Sequence, residues 1–256
     1  FDIDERKIGL TLGEALRQKP NCSWNIVDTI KCKAPVLEAP VIDGYAGLMD
    51  SYPEENRFLV SEKLRNSTDM NRVSWTNRLE RKWKDKIMKT LKVHEVEVLI
   101  NYLPVGSQKT TEFWAEICLE TGISFVNCIP VFIASDPAWE QRFIDAGIPL
   151  IGDDMRSQFG ASIVSQMLQE LAFERGHHVK AHIQRNVGGN TDFLNMEDKN
   201  RLASKKISKE NVIRAQNEIR GISTDDSFLH AGPSEYIHFY GDNKVANFRL
   251  ELEGFG

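Results

Sequence analysis

Residues 95–154 read EVEVLINYLPVGSQKTTEFWAEICLETGISFVNCIPVFIASDPAWEQRFIDAGIPLIGDD, and their rhythm decides the fold. Three short apolar runs, 95–104, 123–132 and 148–154, are rich in Val, Ile, Leu and Phe and do not alternate in polarity. Between them lie two helical patterns, 107–122 with Ser107 as cap and Gly122 as stop, and 136–147. Strand–helix–strand–helix–strand, with strands apolar on both faces, predicts a parallel sheet covered on both sides. Polar residues collect where each strand ends, at 101–107, 127–135 and 153–157. Open α/β sheets bind ligands along that edge.

Upstream, 5–19 and 72–93 read as helices, the latter strongly charged with Trp75 and Trp83 turned inward, while 22–31 and 34–44 read as strands or loops. Downstream the rhythm changes near residue 160. A long amphipathic helix over 157–176 precedes a strand over 179–189, a helix over 192–206, and a hairpin over 234–254 turning at Gly241-Asp242-Asn243. Long helices followed by antiparallel strands predict a second, α+β domain.

The 256 residues are 41% hydrophobic and 27% charged, the composition of a globular chain with a sizeable core. Disordered, fibrous and coiled-coil classes are excluded, and no apolar run approaches the roughly 18 residues of a membrane helix. Against 37 acidic residues stand 32 basic ones, a net charge of −5. That argues against bulk nucleic-acid binding. Cys22, Cys32, Cys118 and Cys128 form no CxxC pair and read as reduced, buried thiols. With an opening FDIDERKIG that shows no basic-then-apolar leader, a cytoplasmic location is expected.

Four places could carry chemistry. Asp2, at the tip of Phe1-Asp2-Ile3-Asp4, suits a ribose hydroxyl in a dinucleotide fold, or else caps the next segment. No G-x-G-x-x-G occurs, which would put the first strand and phosphate loop of such a fold upstream of Phe1. The stretch 152–162, GDDMRSQFGAS, ends a strand with Asp153 and Asp154 and opens a helix whose N–H groups could hold a phosphate through Ser157, Gln158, Gly160 and Ser162; helix capping explains it equally well. The turn 186–192, NVGGNTD, gathers Asn190 and Asp192 beside two glycines, or is a plain capped turn. Lys205 and Lys209 stand four apart, so in a helix two ammonium groups share a face and could stabilise a phosphate or an enolate; a solvated basic helix end is the bland alternative. The adjacent His177-His178 diverge and mark a helix end.

In combination FDID, PVIDG, NYLPVGS, FVNCIPVFIASDPAW, IGDDMRSQFGAS, NVGGNTDFLNM, SKKISK and AGPSEYIHFYGDNK resemble the myo-inositol-1-phosphate synthase family in its shorter archaeal and bacterial form. The resemblance runs over nearly the whole chain, more loosely at 50–92. It implies an incomplete Rossmann-like NAD-binding domain over 1–160 and a catalytic and tetramerisation domain over 161–256, in a chain lacking both of the family's ends. It implies conversion of D-glucose 6-phosphate to 1D-myo-inositol 3-phosphate, the first step of inositol and inositol-phospholipid synthesis. NAD+ takes a hydride from C5, an enolate forms, C6 attacks the C1 aldehyde, and the hydride returns. Lys205, Lys209, Asp154 and Asp192 match the catalytic residues. Ser157, Gln158, Gly160, Ser162 and Asn190 match the substrate and phosphate contacts. Asp2, Tyr102, Pro104, Gly106 and Asp153 match the NAD lining. A divalent or monovalent cation is left open by the resemblance, and a homotetramer acting on a soluble sugar phosphate, without nucleic acid or membrane, is implied. Arg156 stands where the family's GDD-x-K-S motif has lysine, keeping the charge but not the point-like geometry. His238 is given no role. An ordinary NAD-dependent dehydrogenase of the same plan and an inactive assembly-only module are the competing readings.

Overall fold

A computed structural model describes residues 1–23, 30–155, 158–201, 203–221 and 228–254. Side chains at 203–206, 208, 209, 233 and 234 fall outside that description. Arg156, Ser157 and the side chains of Lys205 and Lys209 therefore lie outside the described residues.

The first unit is the sheet expected from 95–154. Strands β1 (Val98–Asn101), β2 (Ser124–Asn127) and β3 (Leu150–Ile151) are parallel and adjacent in that order. Helices α4 (Gln108–Thr121) and α5 (Pro137–Ala146) make the crossovers. Asp136 starts α5 by accepting hydrogen bonds from the N–H groups of Ala138 and Trp139, with Pro137 at the first helical position. Crossovers that step the same way across a parallel sheet put their helices on one face. On that face Phe125 stacks on Phe143 at 6.4 Å, within a core that includes Phe113, Ile117, Ile123 and Ile133. The opposite face is bare: Val98, Ile100 and Ile151 are 49%, 53% and 64% exposed. Cover on both sides, expected from the apolar strands, is thus supplied on only one side by the described residues.

Around this sheet, α3 (Asn77–Val93) is the charged helix, capped by Thr76 and buried through Ile87 and Leu91. The N-terminal residues depart from expectation. Only α1 (Leu12–Ala15) of the helix expected over 5–19 forms, and Asp2 makes an isolated parallel bridge with Glu38 instead of ending a strand. A second core of Val41, Tyr45, Met49 and Leu64, the last from α2 (Glu62–Thr68), receives Leu194 from the far half of the chain.

The second unit is a mixed sheet of order β5-β4-β6, with β4 (Val179–Gly188) at its centre. β5 (Phe228–Tyr236) runs parallel to β4 and β6 (Lys244–Leu252) antiparallel to it. The expected hairpin is therefore wrong in its pairing. The turn at Gly241 exists, but the segments on either side pair with β4, not with each other. A parallel β4–β5 pair needs a long crossover, and α7 (Thr191–Asn195) and α8 (Ala203–Ile219) lie within it. The single helix expected over 192–206 is broken between these two by a 3-10 turn at Lys199–Arg201. α6 (Ala161–Glu174) covers the sheet.

Beneath α6, β4 buries polar side chains at every second position: His182, Gln184 and Asn186 are all 0–1% exposed. They form one directed chain. Gln169 Nε2 donates to His182 Nδ1 at 3.0 Å, and His182 Nε2 then donates to Ser165 Oγ at 3.0 Å. Ser165 donates to Gln184 at 2.8 Å, Gln184 to Asn186 at 3.1 Å, and Asn186 to the Gly232 carbonyl at 3.1 Å. The order of donors assigns His182 as the neutral Nε2–H tautomer. Burial pushes its pKa down, in keeping with that state.

Candidate active site

The carboxyl edge of the parallel sheet is held by a hydrogen-bonded bracket across its strands. Asn101 at the end of β1 donates to Asn127 at the end of β2 at 2.9 Å. Asn127 donates to Asp153, just past β3, at 2.7 Å. Asp153 also accepts from the N–H groups of Ile133, Ala134 and Ser135 at 2.9–3.1 Å. Its carboxylate is thus turned onto the loop after β2. Asp154 follows with φ 65, a left-handed conformation, its N–H donating to the Ile129 carbonyl. Tyr102, past β1, is 69% exposed on this edge, and the Cys128 thiol beside it raises its pKa.

The loop 102–107 meets the second unit directly. Val105, Phe193 and Met196 form a small core. Asn195 in α7 donates its side-chain amide to the Val105 carbonyl. Arg201 donates to the same carbonyl at 3.1 Å, to the Asp43 carbonyl at 2.7 Å and to Ser107 Oγ at 3.2 Å. Burial pulls its guanidinium below the ordinary value, against Asp43, Asp198 and Asp69, which raise it. Asp43 in turn caps α4 from a distant segment: its carboxylate accepts from Lys109 N–H at 2.7 Å, Thr110 N–H at 2.9 Å and Thr110 Oγ1 at 2.6 Å. Pro104 contributes its carbonyl to Ser107 Oγ at 2.6 Å.

These contacts bring Tyr102, Pro104 and Gly106 together with the segment carrying Asn190 and Asp192. Asn190 caps α7, accepting from Asp192 and Phe193 N–H, and donates to Asp242 at 2.8 Å. Asp192 is half-buried in the first turn of α7. α8 opens two residues after Arg201 and includes positions 205 and 209, one turn apart. Asp2 stands apart from this group. Its carboxylate accepts from Ile3 and Asp4 N–H at 2.7 and 2.9 Å, with Lys7 Nζ 3.6 Å away. Gln158 is exposed, and Gly160 caps α6 with no side-chain acceptor, so the first turn of α6, including Ser162, offers backbone N–H groups. His238 lies 3.5 Å from the Tyr236 hydroxyl, a marginal contact. Among the described residues no cluster of His, Cys, Asp or Glu could hold a metal ion, and no helix is long and apolar enough to cross a membrane.

Sequence reading missed Arg201, Asn195 and Asp43. Their partners lie 96, 90 and 67 positions away, so no local pattern marks them.

Comparison with known proteins fits this arrangement. Residues 160–256 match the family model described as myo-inositol-1-phosphate synthase. The whole chain aligns with the inositol-3-phosphate synthase of Corynebacterium glutamicum, 38% identical over 258 residues and 64% of that protein. It aligns likewise with that of Mycobacterium tuberculosis, 37% identical over 263 residues and 62% of its length. The chain thus spans a little under two thirds of these relatives. Among solved structures, a myo-inositol-1-phosphate synthase-related protein from Thermotoga maritima superposes with TM-score 0.70 at 23% identity, over 99% of this chain and 65% of that one, and shows the shared fold. The stretch from NVGGNTD to SKKISK lies inside the segment matched by the myo-inositol-1-phosphate synthase family model, and the chain is similar along its whole length to inositol-3-phosphate synthases.

Proposed function

We propose that the protein of which this chain is part is an inositol-3-phosphate synthase, converting D-glucose 6-phosphate to 1D-myo-inositol 3-phosphate with NAD. The observation that carries the reading is the docking of α7 and of the 3-10 turn before α8 on the loop after β1, through Asn195 and Arg201. That docking supports a site in which the segment of Asp192, Lys205 and Lys209 would face the carboxyl edge, where α/β sheets bind nucleotides.

That edge would receive a dinucleotide at the exposed Tyr102 ring and the Pro104–Gly106 turn, with Asp153 shaping the neighbouring loop; Asp2, which stands apart with its carboxylate on its own backbone, is left out of this reading. Bound there, NAD would supply the acceptor and donor of a hydride. The chain's own residues would do the rest. The first turn of α6, with Ser157, Gln158, Gly160 and Ser162, would hold the substrate phosphate on backbone N–H groups aided by the helix dipole. Asn190 would orient the sugar. Lys205 would stabilise the oxyanions of enolisation and aldol closure, since a positioned cation acts most where charge develops. Lys209 would sit nearer the C5 oxygen or the phosphate, oriented by Asp192, and Asp154 would complete the acid–base set. A cytoplasmic homotetramer assembled through the second sheet, with a divalent or monovalent cation as helper, belongs to the same proposal.

The test is turnover of glucose 6-phosphate by the full-length protein with NAD. A synthase forms inositol phosphate without net NADH. A dehydrogenase of the same plan accumulates NADH as substrate disappears, and that result would reject the proposal.

A further inference from the structure

Arg201 is a largely shielded cation whose described hydrogen-bond partners are all neutral: two backbone carbonyls and a hydroxyl. Among the described residues no carboxylate comes within ion-pairing distance. A guanidinium placed for stability alone would ordinarily be matched to an acid, because desolvating a charge is costly. Here its three donors go instead to Val105 and Ser107 of one loop and to Asp43, on the segment packed against the start of the next helix. Val105 and Ser107 flank Gly106 in the loop after β1, and Asp43 caps the helix that follows that loop. Arg201 itself ends the 3-10 turn that leads into α8. The planar fork of arginine can span such a set, whereas the single ammonium of lysine cannot. Asn195 doubles the link at Val105 from the other end of the same segment.

We propose that Arg201, seconded by Asn195, is a positioning residue that fixes the distance between the cofactor-side loop 102–107 and the α7–α8 segment, so that the hydride is removed and returned at one geometry. The proposal rests on the synthase reading above. In that reaction the cofactor must stay reduced, and in place, while the carbon skeleton rearranges on the other segment. A looser junction would leave the first hydride transfer possible and spoil the return, because small misplacements of reacting groups cost heavily.

The experiment compares full-length wild type with Arg201→Lys and Arg201→Met. Folding is followed by thermal midpoint, NAD affinity by titration without substrate, and turnover by KM, kcat and NADH released per inositol phosphate formed. For Arg201→Lys the expectation is a folded protein that binds NAD within about threefold of wild type. Its kcat should fall about 10- to 100-fold at nearly constant KM, with NADH accumulating. Wild-type turnover without NADH release would overturn the proposal. Amide hydrogen exchange over residues 102–107 gives an arm independent of activity and should rise at least about tenfold in both variants. Unchanged exchange overturns the clamp whatever the substrate. A wild-type protein inert toward glucose 6-phosphate removes the synthase reading, and exchange then decides the clamp alone.

Discussion

Gly106 and Arg201 share one space: a Cβ added to Gly106 would lie 2.8 Å from Arg201 Cα and 2.9 Å from its Cγ. Gly106 also has φ +84, where a side chain is strained in any surroundings. Gly106→Ala should therefore cost about 2–4 kcal/mol, from backbone strain and overpacking together. Denaturant midpoints check this, and a loss below about 0.5 kcal/mol would contradict the packing described.

Asp43 replaces the side-chain cap that Ser107 does not provide, since Ser107 turns its hydroxyl to Pro104. Asp43→Ala should cost about 1–2 kcal/mol, as expected for a lost helix cap. Asp43→Asn, which keeps an acceptor but not the charge at a helix N-terminus, should lose less. Equal losses for the two would mean that a neutral acceptor cannot replace the carboxylate, and no loss for Asp43→Ala would mean that the cap contributes nothing.

His182 predicts a pH dependence of stability. Its folded pKa lies below the ordinary value, so the unfolded chain takes up the proton first as pH falls. The stabilisation is complete above the unfolded pKa of about 6.5 and is lost as pH drops through the folded pKa. His182→Gln should be less stable at neutral pH, yet flatter between about pH 7 and 5. Urea midpoints across that window test it, and a variant slope as steep as wild type would place the titration elsewhere.

Lys205→Ala should abolish cyclisation in the full-length protein while NAD affinity stays within about threefold, as when a group is needed only for chemistry. Near-normal turnover would remove Lys205 from the mechanism. Asp192→Asn should lose activity with little change in thermal midpoint, because Asn190, not Asp192, caps α7. A large fall in midpoint would make Asp192 a folding residue.

The parallel sheet was legible because its cues are local. Ser107, Gly122, Asp136 and Gly147 bracket two helices between apolar runs, and the structure keeps all four boundaries. The β4–β5–β6 sheet was not. Gly241 signals a turn correctly, but pairing is settled by what the strands can bury, and β4 lies 40 residues upstream of β5 with two helices between. The site was half legible. Asn190 and Asp192 stand out as residue types in a glycine turn, whereas Arg201 sits unmarked in a charged stretch and gains meaning only from partners 94 to 158 positions away. One signal was present and unused: His182, Gln184 and Asn186 recur at period two on a strand facing Ser165 and Gln169, four apart on a helix.

That row under α6 has a polarity. Every donor from Gln169 to Asn186 points the same way, ending on the Gly232 carbonyl. Turning over a single amide would set two donors, or two lone pairs, against each other in a dry interior. An oily interface could slide by a residue and still be greasy. This one has a single legible phase, so strand and helix are locked in register like teeth cut for one another, and the glycine turn that β4 delivers to Asn190 arrives at the same point in every molecule.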